Sequence, residues 1–100
     1  MTLKEIKQLI VRKKYDYSQK VRDSIEDGFF EEEDMEQCIL SATRIYKKEK
    51  DELGQAVDGM KYVILGKDTH GQLFYSVGKV LSGINGRIYF YISAHEADEI

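Results

Sequence analysis

Between Lys61 and His95 the chain alternates strand-forming runs with turn signals, and the gaps are too short to hold a helix. No other stretch constrains the fold as strongly. The runs are Lys61–Gly66, Leu73–Leu81 and Ile88–His95, rich in Val, Ile, Tyr and Phe. β-branched and aromatic side chains suit a pleated, half-buried surface. Asp68-Thr69-His70-Gly71 fills the first gap and Ser82-Gly83-Ile84-Asn85-Gly86 the second. Both supply residues that tolerate positive φ. Strands joined this closely pair antiparallel, because a parallel pair needs a crossover. The expectation is an antiparallel meander with the middle run at its centre.

Period-two alternation assigns faces to these strands. In the middle run Leu73, Tyr75, Val77 and Lys79 share one face, and Phe74, Ser76, Gly78 and Val80 the other. In the last run Ile88, Phe90, Ile92 and Ala94 form an apolar face, expected to lie against helices. Tyr89, Tyr91, Ser93 and His95 then form the opposite face, open to solvent or a ligand.

Upstream the period changes to that of helices. Leu3, Ile6, Leu9 and Ile10 mark a first helix, expected over Leu3–Lys13 with Thr2 as N-cap. Tyr15-Asp16-Tyr17 reads as a short extended segment. Ser18 caps a second helix that buries Val21 and Ile25 and stops at Gly28. Phe29 and Phe30 are expected core anchors. Glu31 to Asp34 open a third helix, where carboxylates suit the positive end of the dipole. Its apolar stripe is Met35, Cys38 and Ile39, which makes Cys38 a core thiol. Thr43–Tyr46 resumes β character and is expected to pair with the strand near Met60. Lys47–Gly59 reads as a solvated connection.

One hundred residues and no internal repeat point to one domain over residues 1–100. No apolar run approaches membrane-spanning length, no signal-peptide pattern opens the chain, and Cys38 is the only cysteine. A cytoplasmic protein without membrane contact is the expectation. The net charge of −3 excludes nucleic-acid coating by bulk charge. The distribution is uneven. Residues 1–22 hold seven Lys/Arg against two acids, whereas residues 23–36 hold eight acids and no base. The acidic run is a candidate surface for a basic partner or for a basic patch of a second copy.

High-specificity motifs are missing: no CxxC pair, Walker loop, GxSxG elbow or HExxH. His95-Glu96 with Asp98 lacks the fixed spacing of a metal site, so no metal or cofactor is expected. What remains is a basic and aromatic set. Tyr75 and Lys79 share a strand face, Tyr89, Tyr91 and His95 share a face of the next strand, and Lys20 and Arg22 begin the second helix. Cations for a phosphate and Tyr or His for proton transfer are enough for RNA cleavage through its own 2′-hydroxyl. Lys79, Tyr75, Tyr91 and His95 are therefore the catalytic candidates, with Lys20, Arg22 and Lys61 as substrate-binding cations.

The order of short motifs strengthens this expectation. Tyr17-Ser18-Gln19-Lys20-Val21, Glu26-Asp27-Gly28, Tyr62-Val63-Ile64-Leu65-Gly66-Lys67-Asp68, Gly71-Gln72-Leu73-Phe74-Tyr75 and Ile92-Ser93-Ala94-His95-Glu96 follow one another. Together they resemble the small prokaryotic domain-of-unknown-function proteins related to BrnT and RelE toxins, over roughly residues 15–97. Lys20 stands where members often carry His, and Asp27 where they often carry Arg. The resemblance implies an α+β fold with N-terminal helices on one face of a three- to four-stranded antiparallel sheet. It also implies a cofactor-free, toxin-like RNA endonuclease acting on mRNA, neutralised by a zinc-ribbon or helix-turn-helix antitoxin. The alternative is a non-catalytic protein-interaction module on the same scaffold.

Overall fold

The computed structural model describes residues 1–97. Three helices come first: α1 (Leu3–Val11), α2 (Gln19–Glu26) and α3 (Glu32–Ser41), with the short strand β1 (Tyr15–Tyr17) between the first two. Four strands follow: β2 (Lys47–Lys50), β3 (Met60–Lys67), β4 (Leu73–Gly83) and β5 (Gly86–Glu96). The fold class is α+β. Thr2 accepts from the Glu5 amide while the Glu5 carboxylate accepts from the Thr2 amide, so α1 begins in a capping box. Ser18 caps α2, and Gly28 ends it at φ 82°. The Glu31 amide donates to Asp34 at the head of α3.

The sheet has five strands in the order β1-β5-β4-β3-β2. β2 through β5 pair antiparallel, and β4 lies at the centre as expected. β1 adds a parallel fifth strand, with Tyr15 beside Tyr89 and Tyr17 beside Tyr91. The purely antiparallel sheet of three or four strands is corrected on this point. The connection from β1 to β5 runs through the rest of the fold, so no turn geometry constrains their relative direction.

The helices cover one face of the sheet. Ile6, Ile10, Val21, Met35, Cys38 and Ile39 meet Tyr62, Ile64, Phe74, Val80, Tyr89 and Tyr91 in the main core. α3 approaches β3 so closely that its Cys38 carbonyl occupies the space where a Gly66 side chain would stand. Gly78 is bare for a similar reason, because the Tyr89 ring lies over it.

The face assignment for β5 is half reversed. Val77 pairs with Ser93 and Gly78 with Tyr91, so one step on β4 matches two on β5. Ile92 is the extra residue of a β-bulge, which shifts the side-chain parity. Ala94 faces the helices as expected and His95 lies exposed on the other face. On the far side of the bulge Tyr89 and Tyr91 are the fully buried residues, leaving Ile88 and Phe90 outside. Three further expectations are corrected. α1 ends at Val11 rather than Lys13, with Lys13 at φ 59°. Phe30 is a core anchor, but Phe29 is 72% exposed. The strand expected at Thr43–Tyr46 forms at Lys47–Lys50. No helix among the described residues is long and apolar enough to cross a membrane.

Candidate functional site

The uncovered sheet face carries most of the residues singled out from the sequence. Tyr75 pairs with Leu65 on one side and His95 on the other, and Lys79 pairs with Phe90. Lys61 precedes Tyr62 and Lys79 follows Gly78, a register pair, so the two lysines stand side by side. Tyr75 and Lys79 are separated by four residues of one strand, about 13 Å at ~3.3 Å per residue.

Lys79 is not free to meet a phosphate. Its ammonium donates to the Asp51 carboxylate at 3.2 Å and to the Gln55 side-chain oxygen at 2.8 Å. The Lys79 and Asp51 side chains retain only 4% and 2% of their exposure. The 51–59 segment, expected to be a solvated connection, is therefore a strap folded onto this face. Asp51 organises it by also accepting from the amides of Leu53, Gln55 and Ala56. Burial pushes the Asp51 carboxyl up, but the Ala56 amide, Lys79 and the Gln55 amide outweigh it and hold it below the ordinary carboxylate value. A charge buried this deeply is tolerated only when paired, so the lysine and the strap specify each other.

Beneath the strap lies a cleft of about 310 Å³, walled by Phe90, Ile92 and Leu53, with Lys79 and Lys61 among its lining. Farther along the face, the Tyr75 and His95 rings stack with centroids 4.6 Å apart and planes 20° off parallel. His95 Nδ1 lies 2.8 Å from the Glu96 carbonyl oxygen.

The other candidates lie elsewhere. Tyr91 is fully buried on the helix side and donates to the Met35 carbonyl at 3.2 Å, so it cannot touch a substrate on the open face. Its hydroxyl is held well above the ordinary phenol range by burial and by the neighbouring Tyr89. Arg22 lies over the Tyr17 ring, 4.9 Å from its centroid, and near Asp16. Lys20 is exposed at the start of α2, one of the helices that cover the opposite face of the sheet. The structure thus brings Tyr75, His95, Lys79 and Lys61 to one face and separates Tyr91, Lys20 and Arg22 from them. Among the described residues no cluster of three or more His, Cys, Asp or Glu is placed to hold a metal. Asp98, part of the weak metal pattern, lies outside the described residues.

A second feature lies at the head of α3. A groove of about 530 Å³ is lined by Ile25, Phe29, Glu31, Glu33, Asp34 and His70, among others. Three of the five acids from Glu31 to Glu36 already have side-chain partners inside the protein. Glu36 pairs with Lys13, and the Tyr15 hydroxyl lies 2.8 Å from Glu32 and 2.7 Å from Glu36. Asp34 accepts from the Thr69 amide and hydroxyl and from the Glu31 amide. Burial raises its carboxyl, but these hydrogen bonds win and the net displacement is downward. Among the described residues, no cation pairs with Glu31 or Glu33. Exposed Phe29 stands beside them.

No family model, curated protein or solved structure matches the chain. Sequence reasoning missed Asp51, Gln55 and Leu53 because the strap is charged and lacks periodicity. One signal was present: Asp51 followed by Gly54 is the pattern of an aspartate that caps its own loop. Exposed Phe29 left no signal, since Phe29 and Phe30 are the same residue type side by side.

Proposed function

We propose that this chain is a non-catalytic protein-interaction module that docks a basic, partly apolar segment of a partner protein in the groove at the head of α3. The carrying observation is Phe29, 72% exposed beside Glu31 and Glu33 in a concave surface. A large aromatic with a charged rim is the arrangement of an interface anchor, since the ring supplies contact area and the carboxylates supply steering. The catalytic alternative is weakened by two other features of the fold. Its principal cation is neutralised by Asp51, and Tyr91 is in the core.

The test uses a fluorescein-labelled peptide of alternating lysine and leucine, with a glutamate–leucine peptide as control. Anisotropy should show saturable binding of the basic peptide only, weakening as salt rises. Phe29→Ser and the pair Glu31→Lys, Glu33→Lys should each weaken it by about tenfold or more. Equal binding of both peptides, or indifference to both variants, would sink the proposal. Glu32, Glu36 and Asp34 are left alone because each holds an internal contact.

A second reading rests on one observation: Tyr75, His95, Lys79 and Lys61 share a sheet face. It is the toxin-like RNA endonuclease implied by the resemblance, with an antitoxin as partner. On this scaffold Tyr75 and His95 would stack or position a nucleotide, and Lys61 would meet its phosphate. Cleavage of a structureless RNA that disappears in His95→Ala would support it. Inert wild-type protein at every salt concentration would remove it.

A further inference from the structure

The cleft under the 51–59 strap has the chemistry of a ligand pocket distinct from the α3 groove. Its Lys79 ammonium is nearly sealed from solvent, yet only two of its hydrogen-bond donors are used, on Asp51 and Gln55. An ammonium carries three. The third has no acceptor among the described residues, and a buried donor left without one is costly. One wall is apolar. Phe90 and Ile92 are half-buried on β5, and Leu53, 75% exposed, stands over them from the strap.

The charges define what fits. Lys79 and Lys61 are balanced by Asp51 and Glu52 among the lining residues, so the cleft is neutral in sum. A carboxylate or phosphate placed on the free Lys79 donor would also meet Asp51, 3.2 Å from the same nitrogen. An added anion would share that one ammonium with the Asp51 carboxylate, and two anions gathered on one buried cation repel each other. A cation is excluded by Lys79 itself. An uncharged carbonyl oxygen takes the donor without either conflict, and an attached flat ring fills the space beside Phe90 and Leu53.

We infer that this cleft binds a small uncharged ring compound bearing a carbonyl group, of the aromatic-amide class, with Lys79 donating to the carbonyl and the ring lying among Phe90, Ile92 and Leu53. The volume of about 310 Å³ sits at the small end of ligand pockets. The inference does not depend on the peptide-docking groove, which lies at the head of α3.

The experiment compares benzamide, benzoate and benzylamine, three ligands of nearly one shape and different charge. Each is titrated into the 100-residue chain while the methyl resonances of Leu53 and Ile92 are followed by NMR. Benzamide should shift both methyls with a saturable curve, and benzoate and benzylamine should bind about tenfold or more weakly. Lys79→Met combined with Asp51→Asn removes the donor without leaving an unpaired buried carboxylate, and should weaken benzamide by about tenfold or more. Leu53→Ser, at an exposed position, should also weaken benzamide while leaving the melting temperature unchanged, which keeps the test valid if the double variant does not fold. Benzoate binding as tightly as benzamide would overturn the inference. So would shifts confined to other methyl groups, or a Leu53→Ser variant with wild-type affinity.

Discussion

Replacing Gly66 with alanine should be among the most damaging single-methyl changes in this protein. Gly66 lies on β3 under α3, and its φ is not in the left-handed region, so alanine would ordinarily be the better strand residue. The loss is purely steric. A Cβ built there collides with the Cys38 carbonyl oxygen and lies 2.8 Å from the Cys38 carbonyl carbon and 2.9 Å from Ser41 Oγ. Comfortable contact between carbon atoms is about 3.5–4.0 Å, so α3 must retreat by roughly an ångström. That movement pulls on a clamp, because Ser41 Oγ accepts from the Lys67 amide at 2.8 Å and lies within reach of the Lys67 and Cys38 carbonyls. Overpacking costs about 1–3 kcal/mol and a strained hydrogen bond about 1 kcal/mol more, giving about 3 kcal/mol in total. For a domain of this size that lowers Tm by about 12–24 °C. Thermal melts by circular dichroism and urea titration measure it, with Gly71→Ala as the comparison. Gly71 has φ 77° and nothing within 4 Å of a built Cβ, so its alanine variant should lose only about 1 kcal/mol of backbone strain. A Gly66→Ala protein that melts within a few degrees of wild type would refute the close seating of α3 on β3.

Lys79→Ala should destabilise far more than Lys61→Ala, by roughly 10 °C or more in Tm, because it strands the buried Asp51 carboxylate and releases the strap; equal melting of the two variants would contradict the buried pair. Asp34, Asp51 and Asp58 are each held below the ordinary value of 3.8, through hydrogen bonds that outweigh burial. A lowered folded-state value means that their stabilisation is complete above about pH 4 and is lost as pH falls through the folded-state values. Urea midpoints measured across that range should therefore drop on the acid side, less steeply in Asp34→Asn. Burial pushes the Cys38 thiol up to about 11, so a thiol reagent at pH 8 should label the native protein very slowly and the urea-unfolded protein at once. Tyr91→Phe should cost about 1 kcal/mol, the hydrogen bond to the Met35 carbonyl, and leave any activity of the open face untouched.

Local rules carried much of this fold. Thr2 and Ser18 cap the helices they precede, Gly28 stops the second helix, and Met35, Cys38 and Ile39 face the core. Caps and apolar periods are decided within a few residues, so a linear chain displays them. The same holds for the three-strand meander, whose turns leave only antiparallel pairing. The shared face of Tyr75 and Lys79 was legible too, because nothing interrupts the alternation of β4.

The remainder depends on groups far apart in the chain. The Ile92 bulge needs the register between β4 and β5, and without it strict alternation assigns Tyr89 and Tyr91 to the wrong side. β1 joins the sheet only because β5, some seventy residues later, offers an unpaired edge. Whether Lys79 is a free cation or half of a buried pair depends on where the strap folds, and alternation along β4 contains no information about Asp51. Phe29 and Phe30 differ only in which way the chain turns after α2. Side-chain type and local period determine which residues are able to be buried or charged here; long-range register and strap placement decide which of them face water, because those contacts join residues whose separation in sequence leaves no local trace.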